Sequence, residues 1–196
     1  MIGLPRSMKN AKMDLELRRK LLHSIFGLFL ISVLFYFNRM ILIIFLSLLL
    51  LFGSVIIVWM QQGNRIPIID WFEGTFERKN VRFPGYGAFW YVVGTLFLAL
   101  SLNNAYEIAA GIVTLALGDS AATIFGIRGT HPLFYNRRKT IEGSLAFLIF
   151  SLFSCLLVGW IGIALAFLTA VAESLPVPVD DNLVISITAV FFFIII

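Results

Sequence analysis

Four apolar stretches, residues 21–37, 40–60, 88–102 and 105–125, dominate the first two thirds of the sequence and are joined by polar segments, the longest being residues 61–87. A helix needs about 20 mostly apolar residues to cross a hydrocarbon core about 30 Å thick. Inside such a core every backbone amide must find its partner within the protein, which for isolated runs of this length means an α-helix. Residues 144–172 form a longer run; at about 1.5 Å per residue it exceeds the thickness of the core. Gly159-Trp160-Ile161-Gly162 divides it into two short spans, and residues 183–196 supply a last one. The expected fold class is therefore all-α: a polytopic transmembrane helix bundle of about seven spans, or six if residues 144–172 form one tilted helix. No small-residue cleavage site follows residues 21–37, which read as a retained helix and not as a signal peptide. Hydrophobic residues make up 60% of the 196 and charged residues 13%, with a mean hydropathy of +0.95. That composition excludes a soluble globular domain.

Charge is scarce, so its placement is informative. Residues 1–20, 61–87 and 127–143 hold 14 of the 15 Lys and Arg residues, and only Arg39 lies elsewhere. Basic residues accumulate in the cytoplasmic loops of membrane proteins, which predicts a cytoplasmic N-terminus and cytoplasmic loops at about 61–87 and 127–143. Residues 173–182 carry no Lys or Arg; the span count puts them on the same side. One transmembrane domain, 21–196, is expected after a basic N-terminal segment, 1–20, of which residues 8–20 suit an amphipathic helix on the membrane surface. The loop 61–87 reads either as a solvated loop or short helix with mixed charges or as a lid or nucleotide contact, with Trp71, Phe72 and Phe76 suited to a helix at the headgroup level. The sequence pI of about 9.5 follows from the basic loops, whose position beside spans fits lipid headgroups and not nucleic acid. The one cysteine, Cys155, lies in an apolar run and forms no intrachain disulfide.

The acidic residues stand at the ends of spans: Asp119 within Gly118-Asp119-Ser120-Ala121-Ala122, Glu142 within Lys139-Thr140-Ile141-Glu142-Gly143-Ser144, then Glu173 and Asp180-Asp181-Asn182. A charged side chain at bilayer depth costs about 2.5–3.5 kcal/mol even on the lenient insertion scale, which makes each a functional candidate. Helix polarity separates them. Glu142 and Asp180 lie at helix starts, where a first-turn acid or N-cap is equally expected. Asp119 and Glu173 lie toward helix ends, where a carboxylate needs a cation, either a Lys or Arg of the loops or a bound metal. Lys139 and Thr140 precede a helix whose first N–H groups lack internal partners, a setting that favours phosphate, although Thr140 suits an N-cap as well. Arg128, Arg137 and Arg138 either bind phosphate or anchor the loop to lipid. Asp180-Asp181-Asn182, after Pro176-x-Pro178, is an oxygen-rich group of the kind that holds Mg²⁺ together with nucleotide phosphates; it also suits a simple turn. Gly118, Ala122 and Gly126 form a small-residue ridge for close helix packing. Ser120 and Thr123 either contact a ligand or bond to the backbone. His23 and His131 read as headgroup contacts or as interfacial and turn residues. No HExxH, Cys/His cluster, Walker A or kinase Gly-rich loop is present, which disfavours a zinc site and a soluble-type ATP kinase.

These three ordered motifs, together with Arg19-Lys20 and His23 at the start of the first span, resemble the dolichol kinase and phytol kinase family of CTP-dependent polyprenol kinase-like integral membrane proteins. The likeness runs from about residue 19 to residue 196. It implies a kinase that transfers the γ-phosphate of CTP to a prenol, polyprenol or related lipid hydroxyl at the cytoplasmic face of the membrane. It implies catalytic roles for Asp119, Lys139, Glu142, Glu173 and Asp181, and Mg²⁺ on Asp119, Asp180 and Asp181. Nucleotide or headgroup contacts fall to Gly118, Ser120, Lys139, Thr140, Gly143, Ser144, Asn182 and His23. CTP as donor comes from the resemblance alone, since no base-reading residue stands out. The expected partners are a membrane lipid substrate and a nucleotide; a homodimer is compatible with the sequence. A CTP-dependent lipid cytidylyltransferase is the nearest alternative, but the His-Gly-Gly run followed by Asp-Arg and a further Asp of the CDP-diacylglycerol synthases is absent. A transporter or structural membrane protein, with the charges as gates or helix glue, is a third reading, set against the placement of the acids at helix ends.

Overall fold

The computed structural model describes residues 6–78 and 81–196, with side chains from residue 13 onward. The first five residues of the basic N-terminal segment and Lys79 of the 61–87 loop lie outside the described residues. The chain is 78% helix, without strands among the described residues. Eight helices follow in order among the described residues: α1 Arg6–Tyr36, α2 Arg39–Gln61, α3 Pro67–Phe76, α4 Tyr86–Ser101, α5 Ala105–Gly126, α6 Ile141–Val158, α7 Ile161–Ser174 and α8 Asp181–Ile195. A π turn, Thr114–Gly118, interrupts α5, and a 3₁₀ turn, Leu152–Ser154, lies within α6. Four helical segments are long and apolar enough to cross a membrane: Met13–Tyr36, α2, α5 and α6. Helices α4, α7 and α8 are apolar but shorter.

Local chemistry explains where the helices begin and end. Asn38 caps α2 by accepting from the Ile41 amide (2.9 Å), and Asn104 caps α5 through the Tyr106 amide (3.0 Å). Side-chain caps of this type contribute about 1 kcal/mol each. Gly85, at the start of α4, has φ +75° and donates its N–H to Glu77 Oε2 (2.7 Å). Gly159 has φ +63° and ψ −146°, a combination essentially closed to residues with a Cβ, and the chain breaks there between α6 and α7, where the sequence divides residues 144–172. At the start of α2, Arg39 donates to the Ala99 carbonyl (2.7 Å), the Leu100 carbonyl (3.0 Å) and Asn103 Oδ1 (2.6 Å). It thereby satisfies carbonyls that the end of α4 leaves without helical partners.

The N-terminal segment departs from expectation. Instead of a surface helix over residues 8–20 followed by a separate span, α1 runs without a break from Arg6 to Tyr36. No Pro or Gly lies between residues 8 and 20 to interrupt it, and its polar residues Glu16 and Lys20 turn inward to 2% and 3% exposure.

Helix α5 lies at the centre of the bundle, with Ile108, Ile112 and Leu115 fully buried. Around it pack Leu30 of α1, Leu98 of α4, Phe147 of α6 and Ile185 of α8. The outward faces remain apolar, as at Leu156, Trp160 and Ile194. The ridge of Gly118, Ala122 and Gly126 does what its spacing suggests: it admits α6 at close range. A Cβ on Gly143 would lie 2.9 Å from the Ala122 carbonyl oxygen and 3.1 Å from Gly126 Cα, and two backbones cannot yield as a side chain can. Gly143→Val is therefore expected to destabilise the protein by about 1–3 kcal/mol, the usual cost of overpacking, read as a lower melting temperature in detergent; an unchanged melt would show that α5 and α6 are not in register at this point.

Candidate functional site

The charges meet where α1, α5, α7, α8 and the loop before α6 converge. Asp119 is 3% exposed and accepts from the ammonium of Lys20 on α1, which is equally buried. The Ser120 hydroxyl donates to the Lys20 carbonyl (3.2 Å), and the Ser24 hydroxyl donates to the Ala116 carbonyl (3.0 Å). The π turn lies immediately before this contact: the Asp119 amide donates to the Thr114 carbonyl, five residues back. Such turns add a residue to the helical register and are frequent at functional sites.

Glu173, at the end of α7, is 2% exposed. Its Oε1 accepts from Lys139, while Oε2 is buried with no hydrogen-bond partner among the described residues. The same Lys139 ammonium donates to Asp181 Oδ2 at 2.8 Å. Burial works against the charge of Lys139, but Glu173 and Asp181 outweigh it and hold the ammonium above the ordinary lysine range. One carboxylate oxygen from each of Asp119, Glu173 and Asp181 lies within 4.8 Å of the others. Three carboxylates so close repel one another unless cations intervene, and here two lysines do so. The donor set is entirely oxygen, and a buried carboxylate oxygen without a partner is costly to leave unmatched. Both features fit a hard divalent cation, which takes oxygen ligands.

The cluster borders an open polar cleft of about 1250 Å³, with Arg78, Arg82, Arg128 and Arg138 among its lining residues beside Lys139. The loop carrying Lys139 is fixed by its backbone: Lys139 N–H donates to the Asn136 carbonyl (3.0 Å) and Leu133 N–H to the Lys139 carbonyl (3.0 Å). Asn136 is in turn held to the Ser174 carbonyl (2.9 Å). This brings Lys139 to the end of α7.

Several residues singled out by sequence are placed differently. Asp119 finds its cation on the first helix and not in the loops. The amides at the start of α6 are already engaged, Ile141 with the His131 carbonyl, Gly143 with Thr140 Oγ1 and Ser144 with the Thr140 carbonyl. Thr140 thus acts as the N-cap, and phosphate contact in this region is left to side chains. Glu142 lies outside the three-carboxylate cluster; its Oε1 accepts from the Thr130 amide (2.9 Å) and from His131 Nδ1 (2.8 Å), pinning the loop to α6. Asp180 caps α8 by accepting from the Asn182 amide (3.1 Å) and side chain (2.8 Å). Burial, followed by the proximity of Asp119 and Asp181, raises its pKa above the usual carboxylate range. Asn182 Oδ1 faces His23 Nε2 at 3.2 Å, which joins α8 to α1. Gly118 and Gly143 are packing positions, and Ser144 lines the cleft with its buried hydroxyl unpartnered.

Glu16 escapes a reading by motif, and Lys20 is taken in by the resemblance only as a basic residue with no role. Lys20 is the partner of Asp119, and Glu16 receives Arg19 (2.8 Å) and Arg78. Helical spacing carries the signal, since residues 16, 19, 20 and 23 recur along one face of α1.

No protein-family model matches the chain. No solved structure matches it either. The uncharacterized protein MJ1137 of Methanocaldococcus jannaschii is 31% identical over 180 residues, an alignment covering 90% of this chain and 91% of that protein. The chain belongs to the MJ1137 family.

Proposed function

We propose that the chain is an integral membrane lipid-alcohol kinase of the dolichol kinase and phytol kinase type, moving the γ-phosphate of CTP to a prenol, polyprenol or related lipid hydroxyl. The observation that carries this reading is the meeting of Asp119, Glu173 and Asp181 with Lys139 at the wall of a basic cleft. Phosphoryl transfer asks little covalent chemistry of a protein and is driven by positioning and electrostatics. Bound at the three carboxylates, Mg²⁺ would neutralise phosphate charge and help hold the nucleotide. Lys139 ties α7 to α8 through Glu173 and Asp181 and can turn its ammonium to a phosphate oxygen. Arg78, Arg82, Arg128 and Arg138 supply further positive charge along the cleft, and Arg side chains match phosphate geometry well. The lipid oxygen forms its bond to the γ-phosphorus as the bond to the β–γ bridging oxygen breaks. CDP leaves, and the hydroxyl proton passes to a carboxylate of the cluster.

The same reading takes α4, α7 and α8 as short spans beside the four long ones, giving seven, with the N-terminus and the cluster on the cytoplasmic side. The concentration of Lys and Arg in residues 1–20, 61–87 and 127–143 supports that orientation.

Purified protein with Mg²⁺, a panel of prenols and their phosphates, and CTP labelled at either the γ- or the α-phosphate tests the proposal. The expected product is lipid monophosphate carrying only the γ-label. Lipid carrying the α-label would instead make the protein a cytidylyltransferase, and lipid without either label would remove the kinase reading.

A further inference from the structure

A second cavity, of about 690 Å³, lies against the polar cleft. Its walls come from α1, α2, α3 and the start of α4 and are mainly apolar, with Phe26, Leu49, Ile56, Ile57, Ile69 and Phe72 among them. At one end it meets the cleft, because Arg78, Arg82, Tyr86 and Asp180 line both. Asp180 directly precedes Asp181 of the carboxylate cluster. The other end runs along α2, one of the helices long enough to cross a membrane. There Gly53 leaves the groove open: a Cβ built on it meets nothing within 4 Å.

We propose that this groove seats the hydrocarbon chain of the lipid acceptor and presents its hydroxyl at the junction lined by Arg78, Arg82, Tyr86 and Asp180. The inference rests on the kinase reading for what the head of that lipid undergoes. Its occupant follows from the shape of the charge distribution. A molecule that fills the groove must be apolar along its length and polar at one end, and the polar end faces Arg78 and Arg82 beside Asp180, with Glu73 and Glu77 also in the lining. Those arginines favour an end group that gains negative charge, as a hydroxyl does on phosphorylation. Helix α3 forms the outer cover, with Ile69 and Phe72 toward the groove and Ile68 and Trp71 exposed. A volume of this size and lining is typical of sites for small apolar ligands.

The open space at Gly53 permits a graded test that leaves the packed core untouched. The series Gly53→Ala, Gly53→Leu and Gly53→Trp lengthens a side chain into the groove step by step. Each variant, in phosphatidylcholine nanodiscs, is labelled with a long-chain prenol bearing a diazirine on its distal carbon, and the labelled peptides are mapped. In the wild type, labelling of α2 and α3 is expected to saturate with probe concentration, while labelling of outward positions near Trp160 rises linearly. In Gly53→Trp the saturable component is expected to fall at least tenfold, with Gly53→Leu between. A saturable component unchanged across the series, or excess phosphatidylcholine displacing the prenol as readily as unlabelled prenol does, overturns the proposal. This readout needs no turnover. Saturable groove labelling without phosphate transfer would sink the kinase reading and leave the groove standing. Transfer with a KM independent of acceptor length in the wild type would do the reverse.

Discussion

Replacing Lys20 by Met is expected to lower the melting temperature of the protein in detergent by about 6–20 °C. The substitution leaves Asp119 charged at 3% exposure, surrounded by helices, with its cation gone. Breaking a buried ion pair by removing one partner costs about 3–5 kcal/mol, and in a chain of 150–250 residues each kcal/mol moves the melt by about 2–4 °C. The size of the effect comes less from the attraction lost than from the charge left behind. A double variant, Lys20→Met with Asp119→Asn, removes both charges at nearly constant volume and is expected to recover most of the loss. A single variant that melts with the wild type would mean that Lys20 and Asp119 are not paired in the folded protein. A double variant as unstable as the single one would assign the effect to packing.

Lys139→Ala is expected to move two quantities in opposite directions. The ammonium of Lys139 occupies Glu173 and Asp181, and unit charges about 4 Å apart interact by about 4 kcal/mol at an effective dielectric of 20. A divalent cation entering the cluster must compete with that ammonium. Without it, Mn²⁺ should bind the nucleotide-free protein at least about tenfold more tightly, which electron paramagnetic resonance of the free ion would measure. On the proposed kinase reading, phosphate transfer should meanwhile fall roughly 100- to 1000-fold, the usual cost of removing one preorganised charge-stabilising donor. Tighter Mn²⁺ binding with full activity would leave Lys139 as a cluster tie alone. Weaker Mn²⁺ binding would show that the cluster holds its shape only through the lysine.

The positions of the helices could be read from the sequence because hydropathy and breakers are local. Long apolar runs and the Gly159-Trp160-Ile161-Gly162 break mark their ends without reference to the rest of the chain. The cluster was only half legible. Asp119, Glu173 and Asp181 stand out because charge at the edge of an apolar helix is costly wherever the helix goes. Which cation each one meets is a matter of packing: Lys20 and Asp119 are 99 residues apart, and nothing local pairs them. Glu142 and Asp180 show the converse ambiguity, since an acid in a first helical turn looks the same whether it pins a loop, caps a helix or serves a site. The π turn leaves no trace in hydropathy, because one extra residue in a buried helix changes register and not composition.

That extra residue has a genetic consequence. In a regular helix each residue advances the side chain by about 100°, so the single surplus position between Thr114 and Gly118 decides which way everything after it points. Upstream, α5 presents Ile108 and Ile112 to the core; downstream it presents Asp119 to Lys20. One in-frame codon is enough to make or unmake that change: removing it would turn Asp119 by about 100° away from Lys20 with no exchange of any other residue.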